Sequence, residues 1–539
     1  MFSLRLVALQ RLAAWNLLLG LPLLAAAAAP QAPRATVSSG VLEGELDAAS
    51  GVRSFKGIPY AQPPLGELRW KAPQPPDSWQ GVRPARKFGP RAMQRPVFSD
   101  MVFRSNGVSE DCLYLNVWTP AHAPGRQLPV LVYFYGGGFT AGDGSEPRYD
   151  GASMAHQGMV AVTVNYRLNV FGFLSHPELT AESPRHASGN YGLMDQAAAL
   201  RWVQANIAAF GGDPARVTIA GESAGSYSVS AQMISPLAQG TFARAIGESG
   251  ALTSLMPPAT LAQAEQAGQR FAALVGAADL AALRAMPASE LLDATAKPEA
   301  PGFDAIIDGW VVADHPATLF ASGRQAQVPS LAGWNSLESG PGSLLGDLPA
   351  TAENLAKVVH QHITDEALAK RLLDAYAVPD SDPLRMATDM AGDVFIGYST
   401  WRWIDLHARS SGQPVYRYLY VQPRPASVRG DIPAARGATH SAEIEYALGN
   451  LALNPVYAWT ANDRSASRLM QQYFVNFIRT GNPNGAGLPQ WPVVGQGDSA
   501  QVMQLGPQAK LAPVRDRARY EALEQAVKRP AGTSAAAAD

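Results

Sequence analysis

The stretch Thr218 to Ser228, TIAGESAGSYS, carries Gly221, Glu222, Ser223, Ala224 and Gly225 in the pattern G-x-S-x-G. That pattern places a serine on a sharp turn between a strand and a helix, with its hydroxyl held out of the chain. Such a turn strains the backbone, and small flanking residues avoid the clashes that larger side chains would bring. The serine also stands at a helix N-terminus, where unpaired N–H groups favour a developing negative charge. The chemistry on offer is nucleophilic attack by Ser223. Five residues alone equally describe a plain glycine-rich turn, so the flanks must decide. RVTIAG before the serine reads as a strand and SYSVSAQMI after it opens a helix, which is the required setting.

A bare serine is a weak nucleophile at neutral pH and needs a base, normally a histidine oriented by a carboxylate. The nine histidines are His122, His156, His176, His186, His315, His360, His362, His407 and His440. His360 and His362 flank Gln361 and suggest a metal pair, but no companion ligand cluster accompanies them, so a surface reading is preferred and no metal is expected. If a histidine is the base, turnover rises with pH through its ionisation, roughly between pH 6 and 7.5.

Positioning these groups falls to strand-like runs that recur between helical stretches: Pro129 to Tyr135, Met159 to Tyr166, Arg216 to Gly221, Val328 to Trp334 and Pro414 to Tyr420. Their near-continuous apolar character suits strands covered on both faces. Asp195 to Phe210 has helical spacing and stops at Gly211, a residue able to take the left-handed cap. Strand, helix, strand predicts an α/β fold with a large, mostly parallel sheet and crossover helices. Helical patterns from about Thr260 to Gln327 and from about Leu344 to Asp393 interrupt that rhythm and read as insertions over the strand ends.

The bulk properties agree with a large buried core. The chain has 539 residues and a formal net charge of −2, with no basic stripe suited to nucleic acid. Arg5 and Arg11 precede an apolar stretch ending in alanines, which predicts a secretory signal over residues 1–29, cut near Ala29, and an exported protein, periplasmic or secreted. A single domain is expected over 30–527 and a frayed tail over 528–539. Past the signal no stretch reaches transmembrane length. Cys112 is the only cysteine, so stability must come from packing without an internal disulfide.

Several longer segments then point one way. FKGIPYAQPPLGELRW (Phe55 to Trp70), SEDCLYLNVW (Ser109 to Trp118), NYRLNVFGFL (Asn165 to Leu174) and GGDPARVTIAGESAGSYS resemble the signature segments of type-B carboxylesterases, the cholinesterase-like branch of the α/β-hydrolase fold. The resemblance runs from about Val37 to about Trp491. It implies ester hydrolysis through an acyl-enzyme, with Ser223 as nucleophile and no cofactor. GATHSAEIEYALG resembles the segment that supplies the family's histidine, which assigns His440. VPSLAGWNSLESG resembles the family's G-x-N-x-D-E-G stretch, which assigns Glu338, although Leu337 replaces an acidic neighbour and Ser339 displaces the glycine; Asp347 is the fallback.

By the same resemblance, Gly137, Gly138 and Ala224 offer the backbone N–H groups of the oxyanion hole, and Tyr135 stands where many relatives have histidine. Glu222, Ser249 and Glu443 match polar positions around the three reacting groups, where buried acids orient an imidazole. Relatives close the loop ending at Cys112 with an upstream cysteine, but Ala92 stands there, so this loop is expected to be untethered. It carries Phe98, Met101 and Phe103 and no tryptophan, which argues against choline esters and for a small-molecule ester with neutral, hydrophobic acyl or alcohol groups. Two other readings share these residues: a lipase-like hydrolase of longer acyl esters, and a non-catalytic cholinesterase-like binding domain.

Overall fold

Runs of valine, isoleucine and aromatics that are apolar on both faces form the centre of an eleven-stranded sheet, seen in a computed structural model that describes residues 32–121, 125–377, 381–495, 501–514 and 517–528. The antiparallel edge comprises β1 (Glu45–Asp47), β2 (Val52–Pro59) and β3 (Tyr114–Pro120). The parallel body comprises β4 (Leu128–Phe134), β5 (Val160–Val164), β6 (Gly212–Glu222), β7 (Arg244–Glu248), β8 (Ser330–Asn335), β9 (Val415–Tyr420) and β10 (Gln501–Leu505). β11 (Lys510–Pro513) returns antiparallel. Across the sheet the order is β11-β10-β9-β8-β7-β6-β4-β5-β3-β2-β1. The α/β-hydrolase fold with a large, mostly parallel sheet flanked by helices is thus the fold of this chain.

The helix expected over Asp195–Phe210 is α1 (Tyr191–Asn206) followed by a 3-10 turn, Ile207–Phe210. It begins earlier because Asn190 takes the left-handed conformation, φ 54°, and starts the helix one turn upstream of Asp195. Gly211 does close the turn with φ 84°. β7 and the N-terminal strands were not among the runs read from the sequence. β7 is only five residues long and includes Arg244 and Glu248, so its apolar run is too short to stand out.

Both predicted insertions are helical. The first holds α3 (Leu261–Val275) and three short helices up to Ala321; the second ends in α4 (Pro383–Gly392). From α4 the chain continues through a π-helical segment, Asp393–Gly397, into α5 (Tyr398–Ser410). π segments inside helices shift side chains off the α-helical register and recur at functional sites.

The loop between Ala92 and Cys112 is not untethered, contrary to the expectation from its missing cysteine. Arg91–Ala92 pairs in parallel with Val108–Ser109. Gln94 donates to the Gly142 carbonyl at 2.8 Å and accepts from the Gly142 N–H at 2.9 Å. Arg148 reaches Asp100 at 3.1 Å, and Arg91 lies over the Phe103 ring. Cys112 is buried and free.

Residues 1–31 and 529–539, which contain the expected signal and nearly all of the expected tail, lie outside the described residues, as does His122. The described chain from Pro33 onward clusters as one unit, and its last helix runs Arg517–Lys528. Among the described residues no helix is long and apolar enough to cross a membrane.

Candidate active site

Ser223 lies between β6 and α2 (Ala224–Ile234) with φ 54° and ψ −123°, a conformation sparsely populated by non-glycine residues. Its N–H donates to the Glu248 carbonyl at 2.8 Å, and its own carbonyl accepts from Tyr227 N–H at 2.9 Å. The flanking glycines are required by contact. A Cβ on Gly225 would stand 2.0 Å from the Phe134 carbonyl oxygen, and one on Gly221 would stand 2.5 Å from Gly225. The same strained turn recurs next door: β6 and β7 pair with Glu222 opposite Glu248, and Ser249, following β7, has φ 55°.

His440 and Glu338 come from loops more than a hundred residues apart, and main-chain pairing joins them. Leu337 N–H donates to the Ala438 carbonyl at 2.8 Å, and the Ala438 N–H donates to Ser336 Oγ at 3.1 Å. Leu337 therefore acts through its backbone, and its side chain lies beside Gly437, where an added Cβ would stand 3.1 Å from the Leu337 Cβ. The result is a line of contacts: His440 Nε2 lies 3.0 Å from Ser223 Oγ, and His440 Nδ1 lies 2.7 Å from Glu338 Oε2. Glu338 Oε1 accepts from Ser249 Oγ and from the Asn335 N–H, each at 2.6 Å. The fallback Asp347 is exposed and makes no such contact.

Beyond Glu338, three more buried carboxyl groups cluster at the site, two of them, Glu222 and Glu443, acting on the imidazole. Glu222 Oε1 is 3.3 Å from His440 Nε2. Glu443 lies 3.2 Å from Ser249 Oγ and also accepts from the Asn335 side chain. Glu248, one residue before Ser249 and not among the residues singled out from the sequence, accepts from Tyr133 Oη at 3.0 Å. Its signal was the cross-strand register with Glu222, which a sequence alone does not display.

Burial pushes the Glu222 carboxyl up to about 8, with His440 opposing and Glu443 adding to the rise. Burial likewise raises Glu443 to about 7 and holds Glu248 well above the carboxylate range. Burial disfavours charge on His440, yet Glu222 and then Glu338 outweigh it and raise the imidazole to about 9. A reaction that needs neutral His440 is lost as pH falls through that ionisation. The acid limb of kcat/KM should therefore lie above pH 6.5, higher than the sequence alone suggests. Glu222→Gln removes the strongest support of the imidazolium, and a pH–rate profile of that variant should show the limb lower by roughly one unit.

The glycine run after β4 faces the elbow. A Cβ on Gly136 would stand 2.6 Å from the Glu222 carbonyl oxygen and 3.0 Å from Ser223 Cβ. Gly137 and Gly138 have φ of 107° and 61°, open to glycine and strained for other residues. Tyr135 braces this run: its ring stacks on Tyr166 at 4.4 Å, and Tyr166 Oη donates to the Tyr135 carbonyl at 2.6 Å. Ala224 is the first residue of α2, so its N–H belongs to the free end of that helix.

Apolar side chains edge the centre. Phe395, on the π-helical segment, meets His440 edge-on at 5.0 Å and remains 47 % exposed. Met101 reaches Gly137, so a Cβ there would stand 2.8 Å from the Met101 methyl carbon. His360 instead bonds Glu366 on an exposed helix, and no group of three or more metal-ligating side chains occurs among the described residues.

The model of the Carboxylesterase family matches residues 31–525. This chain belongs to the carboxylesterase family. The chain is similar to other esterases: a fumonisin B1 esterase of Sphingopyxis macrogoltabida is 35 % identical over 89 % of this chain and 88 % of its own length. A human cocaine esterase is 36 % identical over 88 % of each chain. Among solved structures, a carboxylesterase of Geobacillus stearothermophilus superposes with a TM-score of 0.78 at 33 % identity, covering 91 % of this chain and 99 % of that one. A PNB esterase gives 0.77 at 31 % identity, covering 93 % and 100 %. As a member of this family the chain is a carboxylic ester hydrolase.

Ion pairs between signature segments hold the carboxylesterase scaffold together. Arg69 pairs with Glu110 through two short contacts, 2.5 and 2.6 Å, joining two of these segments. Arg167 grips Asp195 of α1 in a fully buried fork, both contacts at 2.8 Å.

Proposed function

We propose that the chain hydrolyses carboxylic esters through an acyl-enzyme formed on Ser223. His440 takes the serine proton as the hydroxyl attacks the ester carbonyl, and Glu338 holds the imidazole in the tautomer that makes Nε2 the base. The N–H groups of Gly137, Gly138 and Ala224 receive the oxyanion. His440 then returns its proton to the departing alcohol. A water molecule, activated by the same imidazole, releases the acid and restores Ser223. The supporting observation is the unbroken run from Ser223 Oγ through both imidazole nitrogens to Glu338, at 3.0 and 2.7 Å, at a helix N-terminus.

Glu222, Ser249 and Glu443 assist by holding Glu338 and by stabilising the imidazolium. Phe395 and Met101 beside the centre favour neutral, hydrophobic acyl or alcohol groups. Relatives named for substrates as unlike as cocaine and fumonisin B1 leave ester hydrolysis as the activity in common. The arginines and apolar stretch ahead of Pro30 support export.

A fluorophosphonate probe tests this directly. Wild-type protein should be labelled at Ser223, and Ser223→Ala should not be labelled. An unlabelled wild type would return the chain to the class of non-catalytic binding domains.

A further inference from the structure

One stretch of chain, from Gly392 to Thr400, meets the catalytic centre at three points. At Gly392, the end of α4, a Cβ would stand 3.6 Å from Glu338 Cβ. Further on, the Phe395 ring meets the His440 ring edge-on, with centroids 5.0 Å apart. At the start of α5, Thr400 Oγ1 accepts from the Gly250 N–H at 2.8 Å, next to Ser249, and the Ser399 carbonyl accepts from Thr253 Oγ1 at 2.7 Å. The π-helical segment Asp393–Gly397 joins these contacts.

Phe395 is half exposed, so burial of its own ring does not fix it, and its place is set by the backbone that carries it. Asp393, the first residue of the segment, is buried, and its carboxylate accepts from Tyr376 Oη at 2.9 Å and from Tyr520 Oη at 3.1 Å. The carboxylate folds back over Gly397, where a Cβ would stand 2.7 Å from Asp393 Oδ1 and 3.1 Å from Tyr520 Oη. Tyr520 belongs to the helix Arg517–Lys528, and its ring packs against Trp401 of α5 at 5.0 Å and Trp334 of β8 at 6.2 Å. Arg519 lies 4.0 Å from Asp393 and closer, at 3.1 Å, to Asp389, which Arg385 also holds at 2.7 Å. The last described helix thus reaches, through one carboxylate, the segment that lies on the imidazole.

A π turn closes i→i+5 hydrogen bonds and so carries one residue more than an α turn. Relaxing it to α-helix shifts the register by one residue, about 100° around the axis, and turns Phe395 off the imidazole. The two hydroxyls oppose that relaxation, because a rotated Asp393 loses their bonds while its carboxylate stays buried. We propose that Asp393 is a positioning residue for ester hydrolysis: Tyr376 and Tyr520 hold its carboxylate, the held carboxylate fixes the π-helical register, and that register keeps the Phe395 ring against His440. Phe395 in turn covers one flank of the imidazole and keeps its nitrogens in line with Ser223 Oγ and Glu338 Oε2, at 3.0 and 2.7 Å. This assignment rests on His440 being the base.

Steady-state kinetics with p-nitrophenyl acetate on a double variant, Tyr376→Phe with Tyr520→Phe, tests it, since both rings keep their packing and only the hydroxyls go. kcat should fall about tenfold, part of the roughly 10²-fold that a 1 Å misplacement can cost, while KM stays within about twofold. Gly397→Ala, whose Cβ displaces the carboxylate, should do the same and decides the matter if the double variant fails to fold. Phe395→Ala should lower kcat by a similar factor. Adding Gly397→Ala or the tyrosine pair to Phe395→Ala should change kcat by less than about twofold more, because all of them act on one contact. Losses that multiply in the combined variants, or a fall of less than about twofold from both the tyrosine pair and Gly397→Ala, overturn the inference. A His440→Ala protein with full turnover would instead remove the base itself.

Discussion

Alanine in place of His440 should lower kcat by about 10⁶-fold, close to 8 kcal/mol of transition-state stabilisation, with KM little changed. The geometry concentrates the base function on this one ring: Nε2 is 3.0 Å from Ser223 Oγ, and the other groups near that oxygen are carboxyls and backbone amides. The effect should also be non-additive. Ser223→Ala combined with His440→Ala should be hardly slower than either alone, because the two act as one device. Steady-state kinetics on the three variants checks this. Nearly multiplicative losses would show that the ring and the hydroxyl act separately.

Glu338→Gln should cost about 10⁴-fold in kcat, or roughly 5.5 kcal/mol, while leaving the fold in place. The amide retains the size of the side chain but can present an N–H to His440 Nδ1, which favours the tautomer whose Nε2 already carries a proton and so cannot take one from serine. The Asn335 N–H and Ser249 Oγ, which now converge on Glu338 Oε1, give the substituted side chain an oxygen position to fill. Asp347→Asn is the matching control and should change turnover by less than about twofold, as expected for an exposed group remote from the imidazole. Equal losses from both substitutions would remove Glu338 from its assigned place.

The difference between these two carboxylates shows what a sequence displays and what it withholds. The elbow at Ser223 was legible because its demands are local: strand before, helix after, and glycines where Phe134 comes within 2.0 Å of a Cβ. Glu338 was harder to see, since Leu337 and Ser339 depart from the expected neighbours. The structure shows why that departure is tolerated, for Leu337 contributes an N–H to Ala438 and any side chain supplies one. Glu248 and Phe395 were invisible for a different reason. Glu248 meets the site through strand register, and Phe395 through a π-helical shift after α4, and neither leaves a periodicity to read. The loop before Cys112 failed in the opposite sense: a missing cysteine suggested slack, but amide and ion-pair contacts supply the hold.

That substitution of Gln94 and its neighbours for a covalent bridge reaches into the life of the protein. With a single cysteine in 539 residues, the chain forms no internal disulfide, and folding involves no sorting of sulfur partners within it. The loop beside the reactive centre is held by hydrogen bonds and an ion pair, contacts that a change of thiol–disulfide poise does not break.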